Sequence, residues 1–459
     1  MGRFLDSWLA RAPILRGLVA QRGTPGIGSQ VPNIDVGGRV RPGAGGGGSK
    51  MIADFDVMVI GAGIHGAGVA QAAAAEGYSV AIVEKHAPAA GTSSRSSKLI
   101  HGGLRYLETA QLRMVAESLR ERAILLRIAP HLVKLRPFFI PVYRTTRRRP
   151  WQIRIGLSLY AILGSLSSST RFRRLRRKEW AELDGLSTDG LQEVFQYHDG
   201  QTDDAELCRA VVKSSEEMGT RLFLPVQVLE AQRTAGGWSV RIRSAASSQE
   251  SVLQARVVVN AAGPWANRVL DGFPPGTPRI EIDLVGGAHL EVDGTIERGI
   301  YYAEAPQDGR AVFVMPWKGG ALVGTTETPW TGSPEDVRPT AEEEKYLESV
   351  LHHYFPSRPW TRLGSFAGLR VLPHRDGRLF DRSREVMLCP DSAVQPSLVT
   401  IYGGKLTAYR STAQKVLGLF RATLPRTRRV ADTSTLALPR ADPQPTEPSR
   451  TERAVTIGQ

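Results

Sequence analysis

The sequence predicts an α/β protein, a doubly wound parallel sheet with an antiparallel-sheet domain inserted into its chain. Three observations lead there. Glycine turns follow short apolar strands at Gly61, after Asn260 and at Gly403; an acid follows the second strand; and Ile280 to Val292 and Arg310 to Thr326 read as short alternating strands broken by Gly and Pro.

The first turn carries the most chemistry. Phe55 to Ile60 is mostly apolar with β-branched residues, and it runs into Gly61-Ala62-Gly63-Ile64-His65-Gly66 and the Ala-rich segment Ala67 to Ala75. In this strand, turn and helix, Gly61 permits the turn, Gly63 lets the backbone approach a pyrophosphate, and Gly66 lets the helix pack close on the strand. The helix N-terminus adds amide donors and a positive dipole end. Tyr78 to Val83 ends in Glu84, about 20 residues past the glycines, where an acid meets a ribose hydroxyl. A turn that merely packs would not need Glu84.

The second strand, Ala255 to Asn260, enters Ala261-Ala262-Gly263-Pro264-Trp265 and looks like the second nucleotide-contacting strand of two-dinucleotide-binding flavoproteins, which a nicotinamide dehydrogenase does not need. The third turn, Tyr402-Gly403-Gly404-Lys405-Leu406-Thr407, opens a helix whose free amides suit a flavin ring or its ribityl chain. Together these select FAD.

Composition sets the outer limits. The 459 residues are 41% hydrophobic and 23% charged, which excludes disorder throughout and allows two lobes. A net charge of +14 favours an anionic partner, whether nucleic acid, lipid surface or phosphorylated substrate. Cys208 and Cys389 form no CxxC pair, so no disulfide framework, thiolate cluster or metal site is expected, and a reducing, cytoplasmic compartment fits. No apolar run reaches the roughly 18 residues of a spanning helix. The arm 1–50, Arg-bearing and then rich in Gly and Pro, reads as a disordered extension, with an organellar presequence and a weak surface anchor as alternatives.

Gly91-Thr92-Ser93-Ser94-Arg95-Ser96-Ser97-Lys98-Leu99-Ile100-His101-Gly102-Gly103-Leu104-Arg105-Tyr106-Leu107-Glu108 resembles the signature of FAD-dependent glycerol-3-phosphate dehydrogenases almost letter for letter. Gly286 to His289, Phe313 to Trp317, Gly324 to Glu327, Ser365 to Arg370 and Tyr402 to Arg410 resemble that family in the same order, so the likeness spans about Asp54 to Leu424. His65 stands where the family usually has Asn, Val371 where Pro commonly follows the arginine, and His374 near an often acidic position. The likeness stops before the large C-terminal helical domain of the dehydrogenase branch, which makes this a compact form.

The resemblance implies roles. FAD would be held by Gly61, Gly63, Ile64, Gly66 and Glu84, by Ser93, Ser94, Ser97, Lys98 and Leu99, by Ala262, Gly263 and Trp265, and by Gly404, Lys405, Leu406 and Thr407. Arg105, Tyr106 and Arg384 would bind the substrate phosphate, since a guanidinium suits bidentate phosphate binding; Arg382 leaves the register at Arg384 open. Arg370 and Lys405 would stabilise alkoxide character or the reduced flavin's charge, with His289 the leading general base and His101 the second. Asp203-Asp204 resembles a carboxylate pair, but capping a helix is its simpler role.

The expected FAD domain combines 51–127, 198–272 and 364–424, the substrate domain 128–197 and 273–363, and 425–459 is a disordered tail. The active site would lie between the lobes. The implied reaction is oxidation of sn-glycerol 3-phosphate to dihydroxyacetone phosphate, with electrons leaving to a quinone. The alternatives are a flavin oxidase or dehydrogenase of a 2-hydroxy acid or amino acid and a flavin-dependent RNA-modifying protein. No aromatic-interleaved basic platform supports the last, and no nucleic acid is expected. Basic runs at Arg147 to Arg149 and Arg171 to Lys178 flank the apolar stretch Ile155 to Leu166, a surface that fits peripheral contact with anionic lipid as well as plain solvation.

Overall fold

Phe55–Ile60 is apolar at every position but Asp56 because both faces of its strand are covered. Val57 and Val59 pack with the helices Ile64–Ala75, Asp204–Glu217 and Tyr409–Leu419, while Met58 and Ile60 pack with the hairpin Val226–Thr234 and Gly237–Ser244, where Trp238 is buried. The computed structural model describes residues 53–374 and 385–440. Among them the first sheet runs, in hydrogen-bonded order, Met387–Pro390, Leu398–Tyr402, Glu250–Asn260, Phe55–Ile60, Val80–Val83 and Arg221–Phe223. Every pairing from Leu398–Tyr402 to Arg221–Phe223 is parallel, and Met387–Pro390 closes the edge antiparallel.

Register then places the site. Ile60 pairs with both Val83 and Asn260, and Asn260 pairs with Thr400, so the strands end level. The Gly61 turn, Glu84, the Ala261 turn and Gly403 therefore leave from one edge, the carboxyl edge at which open α/β sheets bind ligands. Gly66 is required here, since a Cβ on it would fall 1.9 Å from the Gly61 carbonyl oxygen.

The second sheet is the expected, mainly antiparallel one. Ile282–Val292 pairs with Gly320–Gly324, Thr328–Trp330 and Arg362–Pro373, and the sheet continues through Ala311–Trp317, Ile300–Glu304, Lys134–Tyr143 and Leu191–Gln201 to Leu99–Ile100. Ile300–Glu304 and Lys134–Tyr143 run parallel.

Several boundaries need correction, beginning with Leu99–Ile100, which was placed with the FAD domain and pairs instead in the second sheet. Arg362–Pro373 lies along Ile282–Val292 from Ile282↔Pro373 to Val292↔Arg362, so 364–373 belongs by pairing to the second sheet rather than to the FAD domain. Leu191–Gln201 likewise carries the second sheet past 197. The tail beyond 424 was expected to be disordered for want of periodicity, yet up to residue 440 it caps two helices: Val430 donates to the Ala75 carbonyl at 2.7 Å and Leu438 to that of Ile128 at 2.8 Å. These carbonyls end Ile64–Ala75 and Leu112–Ile128, where acceptors lack intrahelical donors.

Arg410 fastens the same region, donating to both Glu121 oxygens at 2.8 and 2.6 Å with both side chains buried. Arg410→Met strands the Glu121 charge and is expected to cost about 3–5 kcal/mol, read as a lowered urea midpoint. A loss below about 1 kcal/mol, the value of an exposed pair, would contradict this burial argument.

Candidate active site

One cavity of about 780 Å³ opens at the carboxyl edge of the first sheet and takes lining residues from both sheets, including Ile60, Val83, His289, Phe313 and Arg370. On the nucleotide side stands the N-terminus of Ile64–Ala75, with no side-chain cap on Gly63 and no acid in the first turn, so its dipole favours an anion. Glu84 fixes the turn before it, accepting from the Ala62 amide at 2.7 Å and the His86 amide at 2.8 Å. Ser93 accepts from the Ile64 amide at 2.9 Å. Asn260 holds the second turn, donating to the Ala266 carbonyl at 2.9 Å, and Ala262, Gly263 and Trp265 face the cavity.

Gly61, Gly63, Ile64, Glu84, Ser93, Ser97, Leu99, Gly404, Lys405, Leu406 and Thr407 also line it, as the sequence leads one to expect. Gly66, Ser94 and Lys98 do not, and Gly66 instead packs against the Gly61 carbonyl. The Lys98 ammonium turns into the protein, 2.6 Å from Asp204 and 2.5 Å from the Ser94 carbonyl, and the Ser94 hydroxyl donates to the Gly91 carbonyl. Asp203 is the helix cap, accepting from the Ala205 and Glu206 amides, while Asp204 is the partner of Lys98.

His65 lines the cavity beside Gly404, and burial pushes its pKa down to about 4. His289 stacks on Phe366 with centroids 4.9 Å apart, and its Nε2 lies 3.0 Å from the Ser97 hydroxyl. Burial, then Arg370 and Lys98, lower it to about 3 against the Gly287 backbone, so it is neutral near pH 7. The Arg370 guanidinium donates to the Thr325 hydroxyl at 3.2 Å and lies 3.4 Å from Glu327.

The Lys405 ammonium sits 3.8 Å from the Tyr106 ring centre, and the Arg105 guanidinium is 4.9 Å from that same centre. Burial works against the Arg105 charge, but Tyr106, Glu327 and Tyr302 outweigh it and hold the pKa above its ordinary value. His101 lines the cavity with its ring edge toward Phe313, and its amide donates to Thr407. Arg384 lies outside the described residues.

The sequence reading missed Tyr302, Arg310 and Glu327 as lining residues. Glu327 stood in a recognised segment, but only its approach to Arg370 reveals a counter-charge. Arg310, half-buried and held by the Glu327 carbonyl, lies just before the strand Ala311–Trp317 and gave no separate signal.

The helix N-terminus without an acid in its first turn, the acid at Glu84 and the two further backbone turns fit a dinucleotide, and the cations and neutral imidazole beyond fit an oxidation centre. A flavin-nucleotide-dependent oxidoreductase needs this combination within a single cavity. The chain belongs to the FAD dependent oxidoreductase family, whose sequence profile matches residues 56–410, and FAD is its cofactor.

Among its relatives, D-erythritol 1-phosphate dehydrogenase of Brucella abortus is 36% identical over 364 residues, covering 78% of this chain and 72% of that protein. Glycerol-3-phosphate dehydrogenase of Pseudomonas aeruginosa is 36% identical over 369 residues, 79% and 71% of the two chains. The solved structure of glycerol-3-phosphate dehydrogenase from Bacillus halodurans, complexed with FAD, matches with a TM-score of 0.66 at 27% identity, over 85% of this chain and 68% of that one. The resemblance read from the Gly91 to Glu108 signature is thus shown across the fold.

The depressed pKa of the cavity-lining His65 predicts a pH effect. An unfolded histidine protonates below its ordinary value of 6.5, whereas His65 resists until about 4, so its contribution to stability is present above pH 6.5 and is lost as pH falls through that window. His65→Asn is expected to flatten stability against pH there by about 1.4 kcal/mol per pH unit, measured by urea unfolding. An unchanged slope would mean that the imidazole is solvated.

Proposed function

We propose that this chain oxidises the secondary hydroxyl of a small polyol phosphate, in the first instance sn-glycerol 3-phosphate to dihydroxyacetone phosphate. The observation that carries the reading is the gathering of Arg105, Lys405 and Arg370 on the cavity around Tyr106 and Glu327. The two relatives at 36% identity support the substrate class, since both their names specify a phosphorylated polyol.

Arg105 receives the phosphate through charge-assisted hydrogen bonds, and the Tyr106 phenol, 3.3 Å from a guanidinium nitrogen, adds a donor. Arg370 and Lys405 stabilise negative charge on the hydroxyl oxygen as its proton leaves. When bound, FAD would supply the acceptor for the hydride from the carbon that bears this hydroxyl. His289 takes the hydroxyl proton, with His101 the second candidate; a neutral imidazole has the free lone pair this requires. Two electrons and two protons leave the alcohol, and a quinone is the proposed final electron acceptor.

A membrane location would suit that acceptor. Among the described residues no helix is long and apolar enough to cross a membrane. The helix Pro150–Leu163, however, exposes Trp151, Ile155 and Ile162 at 58%, 56% and 61%, followed by Leu166 at 62%. Exposed Arg147, Arg149, Arg171, Arg173, Arg174 and Lys178 flank it. We read this as a peripheral contact with anionic lipid.

Arg105→Met removes bonds worth about 2–4 kcal/mol, so kcat/KM for glycerol 3-phosphate is expected to fall roughly 30- to 1000-fold with FAD content intact. The slow oxidation of unphosphorylated glycerol is expected to change far less; equal losses on both substrates would move the phosphate away from Arg105. Vesicle sedimentation is expected to show binding to anionic liposomes that weakens with salt. Absence of binding at low salt would leave the apolar patch without this role.

A further inference from the structure

Behind the turn that carries Arg105 lies a buried chain of polar groups that does not line the cavity. The Gly102 amide donates to the Tyr160 hydroxyl at 2.8 Å, and that hydroxyl donates to Asp199 Oδ2 at 2.6 Å. Arg122 pairs with Asp199 Oδ1 and donates to the His198 carbonyl at 2.8 Å. Tyr160 is 0% exposed, and Arg122 and Asp199 are each 1% exposed. The three come from separate elements, Tyr160 from Pro150–Leu163, Asp199 from Leu191–Gln201 and Arg122 from Leu112–Ile128.

The donors and acceptors admit one direction. A carboxylate only accepts, so the tyrosine proton goes to Asp199 and a lone pair of the hydroxyl is left for Gly102. Burial, with Asp199 beside it, pushes the Tyr160 hydroxyl well above its usual range and keeps that proton in place. On its other side the turn is held through the His101 amide, which donates to Thr407 in the third glycine turn at 3.2 Å. Gly102 is thus clamped between the surface helix and the cofactor side. Arg105 follows within the single turn Leu104–Leu107, beyond a left-handed Gly103 at φ 80°.

We propose that Tyr160, backed by Asp199 and Arg122, is a positioning residue that fixes Gly102 and thereby the guanidinium of Arg105. The proposal rests on the reading of Arg105 as the phosphate anchor. For stability alone, an apolar contact would serve as well as this polar chain. A hydrogen bond to one backbone amide fixes a place and a direction, which anchoring a small anion requires.

Tyr160→Phe is nearly isosteric and keeps the Arg122–Asp199 pair, so it is expected to fold and retain FAD. Its KM for glycerol 3-phosphate is expected to rise about tenfold with kcat within about twofold of wild type, and the amides of 101–106 to exchange with deuterium faster. Tyr143→Phe is the control, removing a hydroxyl that donates to the Ser187 carbonyl at 2.6 Å, away from the cavity. It should lower stability and leave KM and the exchange of 101–106 unchanged. An unchanged KM in Tyr160→Phe, or unchanged exchange at 101–106, overturns the proposal. If the wild type oxidises no phosphorylated polyol, the substrate reading falls instead, and the exchange measurement still decides whether Tyr160 holds the turn.

Discussion

The buried pair Lys98–Asp204 is the constraint on which the site's geometry depends. Its charges are 2.6 Å apart with side chains 5% and 0% exposed, so removing either partner leaves an uncompensated charge in the interior. Asp204 also accepts from the Ser96 amide, and Lys98 donates to the Ser94 carbonyl, so the serine-rich loop is drawn onto the first turn of the helix Asp204–Glu217. The ammonium lies 5.3 Å from the Trp317 ring centre and 5.2 Å from that of Phe366, both in the second sheet. Phe366 in turn stacks on His289, which meets Ser97 of the same loop. One ion pair therefore sets the cofactor loop, joins it to the second sheet and contributes to the field that keeps His289 neutral.

Much of this architecture was legible in the sequence because local chemistry dictates it. Phe55–Ile60 had to be covered on both faces, Gly66 had to lack a side chain, and strands ending level had to bring Glu84, Ala262 and Gly404 to one cavity. Lys98 shows where such reading ends. Inside a serine-rich signature a lysine reads as a ligand contact, and its actual partner is 106 residues away in sequence. Periodicity also could not reveal the segment up to residue 440, whose irregular backbone is held by the spare carbonyls of two helices. The boundary at 364 failed for a related reason, since a strand's sheet is set by its partner, here Ile282–Val292, and not by the motif at its end.

The cations of the site would repel one another if nothing lay between them. Tyr106 offers its ring to both Lys405 and Arg105, and Glu327, only 8% exposed, lies against Arg370 while acting on Arg105. A ring quadrupole and one carboxylate thus lie among the three cations and lessen their mutual repulsion. Arg370 also adds to the burial that keeps His289 neutral. In the proposed reading the cations would meet the substrate's phosphate while the neutral imidazole keeps its lone pair for the hydroxyl proton, so an alcohol without a phosphate would meet a poorer grip at the same base.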